Sequence, residues 1–147
     1  MKNIVLLIIL MVSATFSFSQ EPNSNLKEEY DKIERSRMFY IKTIKEKQYQ
    51  NLAACIPLNY KTVNPGTVSW QAMAEIAKER GGIPYDSVSV YPMETVIVSD
   101  SVAYGSGRRK TYYTDDQGKP KELEDTFLAI LKKRKDGNWR LHREVAS

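Results

Sequence analysis

One histidine, His142, and one cysteine, Cys55, bound the chemistry open to this 147-residue chain. Histidine is the side chain that ordinarily changes charge near neutral pH, which makes His142 the one ordinary general base. A cysteine nucleophile needs such a base beside it. Cys55 instead lies in NLAACIPL, where a thiol reads as a small buried hydrophobe. A lone cysteine makes no internal disulfide, and a lone histidine excludes a histidine-rich metal site. The acidic residues do not follow a calcium-loop pattern. Asp100, Asp115 and Asp116 sit in turn-forming strings, so a paired-carboxylate hydrolase has no support. No metal and no cofactor is expected.

The charge pattern is as spare. The formal net charge is +4, spread along the chain. The runs Arg108, Arg109, Lys110 and Lys132, Lys133, Arg134, Lys135 read as solvated strand ends, without the aromatic interleaving that nucleic-acid binding would need. Nucleic acid is therefore not an expected partner. The N-terminus, MKNIVLLIILMVSATFSFSQ, has a charged start, a short apolar run from Ile4 to Val12 and small residues at Ser17 and Ser19. This is the pattern of a cleavable signal peptide over residues 1–19, too short to remain as a spanning helix. The expected product is exported to the periplasm or secreted, with no stable membrane insertion after cleavage. Residues 20–24 are a polar lead-in, and 25–147 suit one domain.

The elements that must position these groups fall into two halves. From Asn25 to Ile44, Leu26, Tyr30, Ile33, Arg37, Tyr40 and Ile44 recur at helical spacing, and Asn25 with Glu28 forms a capping-box pattern. A second turn or helix carries Tyr49, Leu52, Ala53 and Ile56 and stops at Pro57. LNYKTVNPGT reads as a loop. Ser69 is placed to cap a helix whose Trp70, Met73, Ala74 and Ala77 share a face and which exits at Gly81 and Gly82. After Pro84 the chain turns to β-branched and aromatic runs cut by turn signals at 99–100, 115–118 and 136–138, predicting about four strands in a meander. Pro92 predicts a bulge or an edge. In TFLAILKK both alternating sets are apolar, predicting cover on both faces, by the helices on one and a second subunit on the other. The predicted class is α+β, helices packed on a curved, mainly antiparallel sheet.

Helices followed by a meander that ends DGNWRLHREVAS resemble the nuclear-transport-factor-2-like superfamily, the cystatin-like cone shared with ketosteroid isomerase, SnoaL-like cyclases and kinase association domains. Asp136, Gly137, Trp139 and Ser147 carry the resemblance to the SnoaL-like branch. Many relatives have histidines late in this strand, where this chain has Arg143 and Val145. Laid on the first helix of ketosteroid isomerase, the oxyanion-stabilising tyrosine falls on Tyr40, but Asn64 stands where the isomerase has its proton-shuttling aspartate. An amide cannot take a proton from carbon. The cone adds Asn64, Tyr91, Tyr104, Tyr112, His142 and Arg143 as candidate pocket groups beside Tyr40.

Three readings follow. The first is a non-catalytic domain binding a small, partly apolar ligand or an extracytoplasmic partner, as a homodimer through the sheet. The second is an isomerase-, cyclase- or dehydratase-like enzyme with Tyr40 as electrophilic donor and His142 as base. The third is a dimerisation or interaction module whose cavity its own side chains fill.

Overall fold

A computed structural model of the chain describes residues 24–80 and 83–147. The expected signal over 1–19 and the glycine exit at 81–82 lie outside the described residues. Helix α1 (Ser24–Lys45) leads to a 3-10 turn (Tyr49–Ala54), a short strand β1 (Lys61–Val63) and helix α2 (Val68–Arg80). Strands β2 (Ser87–Ser99), β3 (Val102–Thr114), β4 (Pro120–Lys133) and β5 (Trp139–Ala146) follow. They form one sheet in the order β1-β5-β4-β3-β2, antiparallel except where β1 lies parallel to β5. The architecture is the predicted α+β one, with helices on one face of an open, curved sheet.

The hairpins close where the sequence has turn residues. Gly118 and Gly137 take positive φ, and Asp136 accepts a hydrogen bond from the Asn138 N–H at 3.0 Å, as Asp115 does from Gln117 and Lys119. The bulge predicted at Pro92 is present, since pairing with β3 slips between Pro92 and Glu94. The same pairing slips again between Ile97 and Ser99, and a third slip, between Ile130 and Leu131, shifts β5 by one residue at His142.

Several local expectations change. Helix α1 has already begun at Ser24, so Asn25 does not cap it. Its covered side is Glu29, Ile33, Thr43 and Ile44, while Leu26 and Tyr30 are exposed. Helix α2 is entered from Thr67, whose hydroxyl faces the Trp70 N–H at 3.4 Å, and not from Ser69. Its buried stripe is Trp70, Met73 and Ile76, because Ala74 lies on the solvent side. The expected loop around Tyr60 contains β1, which the β5 edge draws into register as Thr62 opposite Glu144.

Alternation sets the inner face. Along β3, Ala103, Gly105, Gly107, Arg109, Thr111 and Tyr113 all point toward the helices and are buried. At one end of this row Ala103 joins Ile33 and Trp139 in a core cluster; at the other, Tyr113 joins Trp70, Met73 and Ile76. Trp139 is 1% exposed, and its indole N–H donates to Glu29 Oε2 at 2.7 Å. Glu29 also pairs with Lys133 and Lys32, each at 2.8 Å, which holds its carboxyl down at about 2. The Trp139 strand therefore anchors α1 to the sheet through both packing and charge. Between the two clusters the β3 row carries Gly105, Gly107, Arg109 and Thr111, with no large apolar side chain, and there the packing opens.

Candidate functional site

That opening is a cavity of about 540 Å³ between the helices and the sheet. Gly105 and Ala129 give its floor almost no side-chain bulk, and Ile33, Leu52, Phe127 and Leu131 make the wall apolar. Tyr40 from α1, Tyr60 beside β1, Tyr85 before β2 and Trp70 from α2 add aromatic faces. The 3-10 turn roofs it, fixed by the Leu141 N–H donating to the Cys55 carbonyl at 3.0 Å and the Tyr49 hydroxyl donating to the Tyr85 carbonyl at 3.3 Å.

The polar centre is Arg109. Its Nε and Nη2 donate to the two carboxylate oxygens of Asp125 at 3.3 and 3.0 Å, and its Nη1 donates to Glu144 Oε1 at 2.8 Å. Arg109 and Asp125 face each other across β3 and β4, and Glu144 enters from β5. The guanidinium carbon also lies 5.9 Å from the centre of the Trp70 ring. The side chains of Arg109, Asp125 and Glu144 are 9, 1 and 8% exposed. Burial opposes the charge on Arg109, yet Glu144, Tyr40 and Asp125 raise its pKa above the ordinary arginine value. Burial raises the Asp125 carboxyl, against the pull of Arg109. The second arginine on the wall, Arg37, is paired with Glu34 and reaches Thr95 Oγ1 at 3.3 Å.

Burial also raises the phenols of Tyr40, Tyr60 and Tyr85, so all three are neutral hydrogen-bonding groups at physiological pH. The Cys55 thiol, on the same wall, is pushed up to about 11 by burial. It is a thiol and not a nucleophilic thiolate near neutrality.

The structure brings Tyr40 and Asn64 to this cavity. Asn64 is at its rim, where its side-chain oxygen accepts from Thr62 at 2.9 Å. Tyr91, Tyr104 and Tyr112 are not brought there: they pair with Arg108, Ile130 and Glu122 on the row of alternate residues that faces away from the helices. Arg143 is on that outer side too, opposite Ile130, and donates to the Asn59 carbonyl at 3.1 Å. His142, displaced by the bulge, is absent from the cavity wall. Burial and the neighbouring Arg143, Lys132 and Arg134 lower its pKa.

Sequence reasoning passed over the charged centre and placed Arg109 in a solvated run. The available signal was parity, since Arg109 falls in step with Ala103, Gly105, Gly107 and Thr111. Among the described residues no group of histidine, cysteine, aspartate or glutamate is arranged to hold a metal ion. No described helix is long and apolar enough to cross a membrane.

No family model and no curated protein matches the chain. Solved structures do match in fold. A ketosteroid isomerase-like protein from Erwinia carotovora atroseptica superposes with TM-score 0.60 at 19% identity, over 82% of this chain and 95% of the other. A nuclear-transport-factor-2-like protein of unknown function from Shewanella oneidensis gives 0.60 at 14%, over 80 and 98%. The association domain of the C. elegans kinase CaMKII gives 0.55 at 15%, over 82 and 96%. The chain thus has the nuclear-transport-factor-2-like, cystatin-type fold, which isomerase-like proteins and an association domain share.

Proposed function

We propose that this chain is an exported, non-catalytic binding domain that holds a small, partly apolar molecule between α1, the 3-10 roof and the inner face of the sheet. The observation that carries this reading is the open cavity itself. Trp70 and Phe127 line it without filling it, and its volume falls in the range of small-molecule sites. The enzyme alternative joined Tyr40 to His142, and only Tyr40 lies on the wall. In this reading a second copy covers the outer sheet face, where Leu128 and Val145 are each half exposed and Ile130 is exposed beside them. The association-domain neighbour supports a role for this fold in assembly.

The test is a native mass spectrum of the protein purified from the compartment to which it is exported, followed by titration with the neutral apolar dye Nile red. A bound small mass, or one equivalent of blue-shifted dye lost on Ala129→Phe, is expected. A bare protein that also leaves the dye in water overturns the reading.

A further inference from the structure

The charged centre of the cavity is not neutral, and its imbalance has an address. One guanidinium stands between two carboxylates, leaving one negative charge in excess, because the other wall arginine, Arg37, is matched by Glu34. Asp125 has both oxygens bonded to Arg109. Glu144 has only Oε1 bonded, and it has no further partner among the described residues. Its side chain is 8% exposed and lies on the cavity wall. Tyr40 and Tyr85 line the same space, and neither hydroxyl spends a hydrogen bond on a described residue.

Resting on the binding reading above, we propose that the ligand is an amphiphile with a protonated amine head, which donates to Glu144 Oε2 while its apolar body lies against Ile33, Phe127 and Leu131. An ammonium group supplies the missing positive charge, and a carboxylate head would add a second unmatched negative one. The faces of Tyr40, Tyr60, Tyr85 and Trp70 favour a cation near them for the same reason, since an aromatic ring is negative over its face. A hydroxyl head could use the same acceptor without the charge match, which places alcohols second. Arg109 does not favour an anion, because its single charge is already outnumbered by the two carboxylates that three of its five donors serve.

The experiment is calorimetric titration of the purified protein with three compounds sharing one rigid apolar body: 1-adamantylamine, 1-adamantanol and 1-adamantanecarboxylate. The amine is expected to bind about tenfold or more tighter than the alcohol, because it adds an ion pair to the hydrogen bond that both can donate to the carboxylate, and the carboxylate ligand is expected to bind weakest. Glu144→Gln should remove the amine's advantage and weaken the alcohol less than the amine, because the alcohol loses charge assistance alone while the amine loses its ion pair as well. Equal binding of amine and alcohol, or a preference for the carboxylate, overturns the amine assignment while leaving the cavity a binding site. No binding of any of the three overturns both. The comparison among ligands is made on the unaltered protein, so it decides even where the variant does not fold.

Discussion

Replacing Arg109 by methionine tests the centre of the fold as well as of the cavity. The substitution keeps an unbranched side chain of similar reach and removes three charge-assisted donors from two carboxylates that are 1 and 8% exposed. Two of the lost bonds, at 2.8 and 3.0 Å, have good length and the third, at 3.3 Å, is weak. Breaking one side of a buried ion pair costs about 3–5 kcal/mol, most of it from the charge left behind. We take about 4 kcal/mol at neutral pH, which in a domain of this size lowers Tm by roughly 15 °C. The pH dependence is the sharper signature. Without Arg109 the Asp125 carboxyl must rise further above its ordinary 3.8, and a group whose folded pKa is raised loses stability as pH climbs from the unfolded value through the folded one. The deficit of Arg109→Met should therefore shrink as pH falls toward that ordinary value, and adding Asp125→Asn should recover part of it at neutral pH. Circular-dichroism melts across the carboxylate range measure both. A deficit under about 1 kcal/mol that stays flat with pH would show that the ion cluster has no grip on the fold.

Glu29, held at about 2 by Lys133 and Lys32, has the opposite linkage: its stabilisation is complete above its ordinary value of 4.5 and fades as pH drops toward 2. Glu29→Gln should cost on the order of 1 kcal/mol at neutral pH and flatten the acid limb of the stability curve, read by urea unfolding at several pH values. Gly107→Val should destabilise by about 1–3 kcal/mol, since a Cβ there would lie 2.4 Å from the Tyr91 carbonyl oxygen and 3.0 Å from Pro92 Cα, both backbone. Gly105→Ala, whose Cβ would meet nothing closer than 3.4 Å, is the mild control in the same melts. Charging the outer face with Leu128→Lys and Ile130→Glu should turn a dimer into monomers in sedimentation velocity without lowering Tm by more than a few degrees, because both side chains are solvent-exposed within one chain. A monomeric parent protein removes that proposal.

Legibility in the sequence followed the range of the forces involved. Turns were readable because their determinants are adjacent: Asp136 bonds Asn138, and Gly137 supplies the positive φ between them. The four meander strands and the Pro92 bulge were readable for the same reason. The entry to α2 was misread by two residues, since Thr67 and Ser69 are chemically similar competitors. β1 was missed because three exposed residues carry no pattern of their own, and the β5 edge makes them a strand. The ion cluster was the deepest omission. Arg109 is separated from Asp125 by 16 residues and from Glu144 by 35, and their meeting depends on the register of two hairpins and a bulge. The same bulge leaves His142 out of register with β4 and off the cavity wall.

The one parallel pairing in the sheet also orders events in time. Strands β2 to β5 are joined in sequence by tight turns and can zip one after another with short loops to close. Lys61 opposite Arg143 closes across most of the domain, and its loop-closure entropy is the largest in the sheet. Few buried side chains repay that cost, since the 3-10 turn has none and β1 is exposed throughout. The roof of the cavity is thus expected to assemble after the hairpins of the sheet and to open before them, by partial unfolding. Amide exchange at Thr62 and Val63 should outrun that at Gly105 and Ala129, and a ligand bridging roof and floor should slow the first pair most. Occupancy would then be written in the protein's kinetics: filling the chamber fastens the segment that the chain's own connectivity leaves loosest.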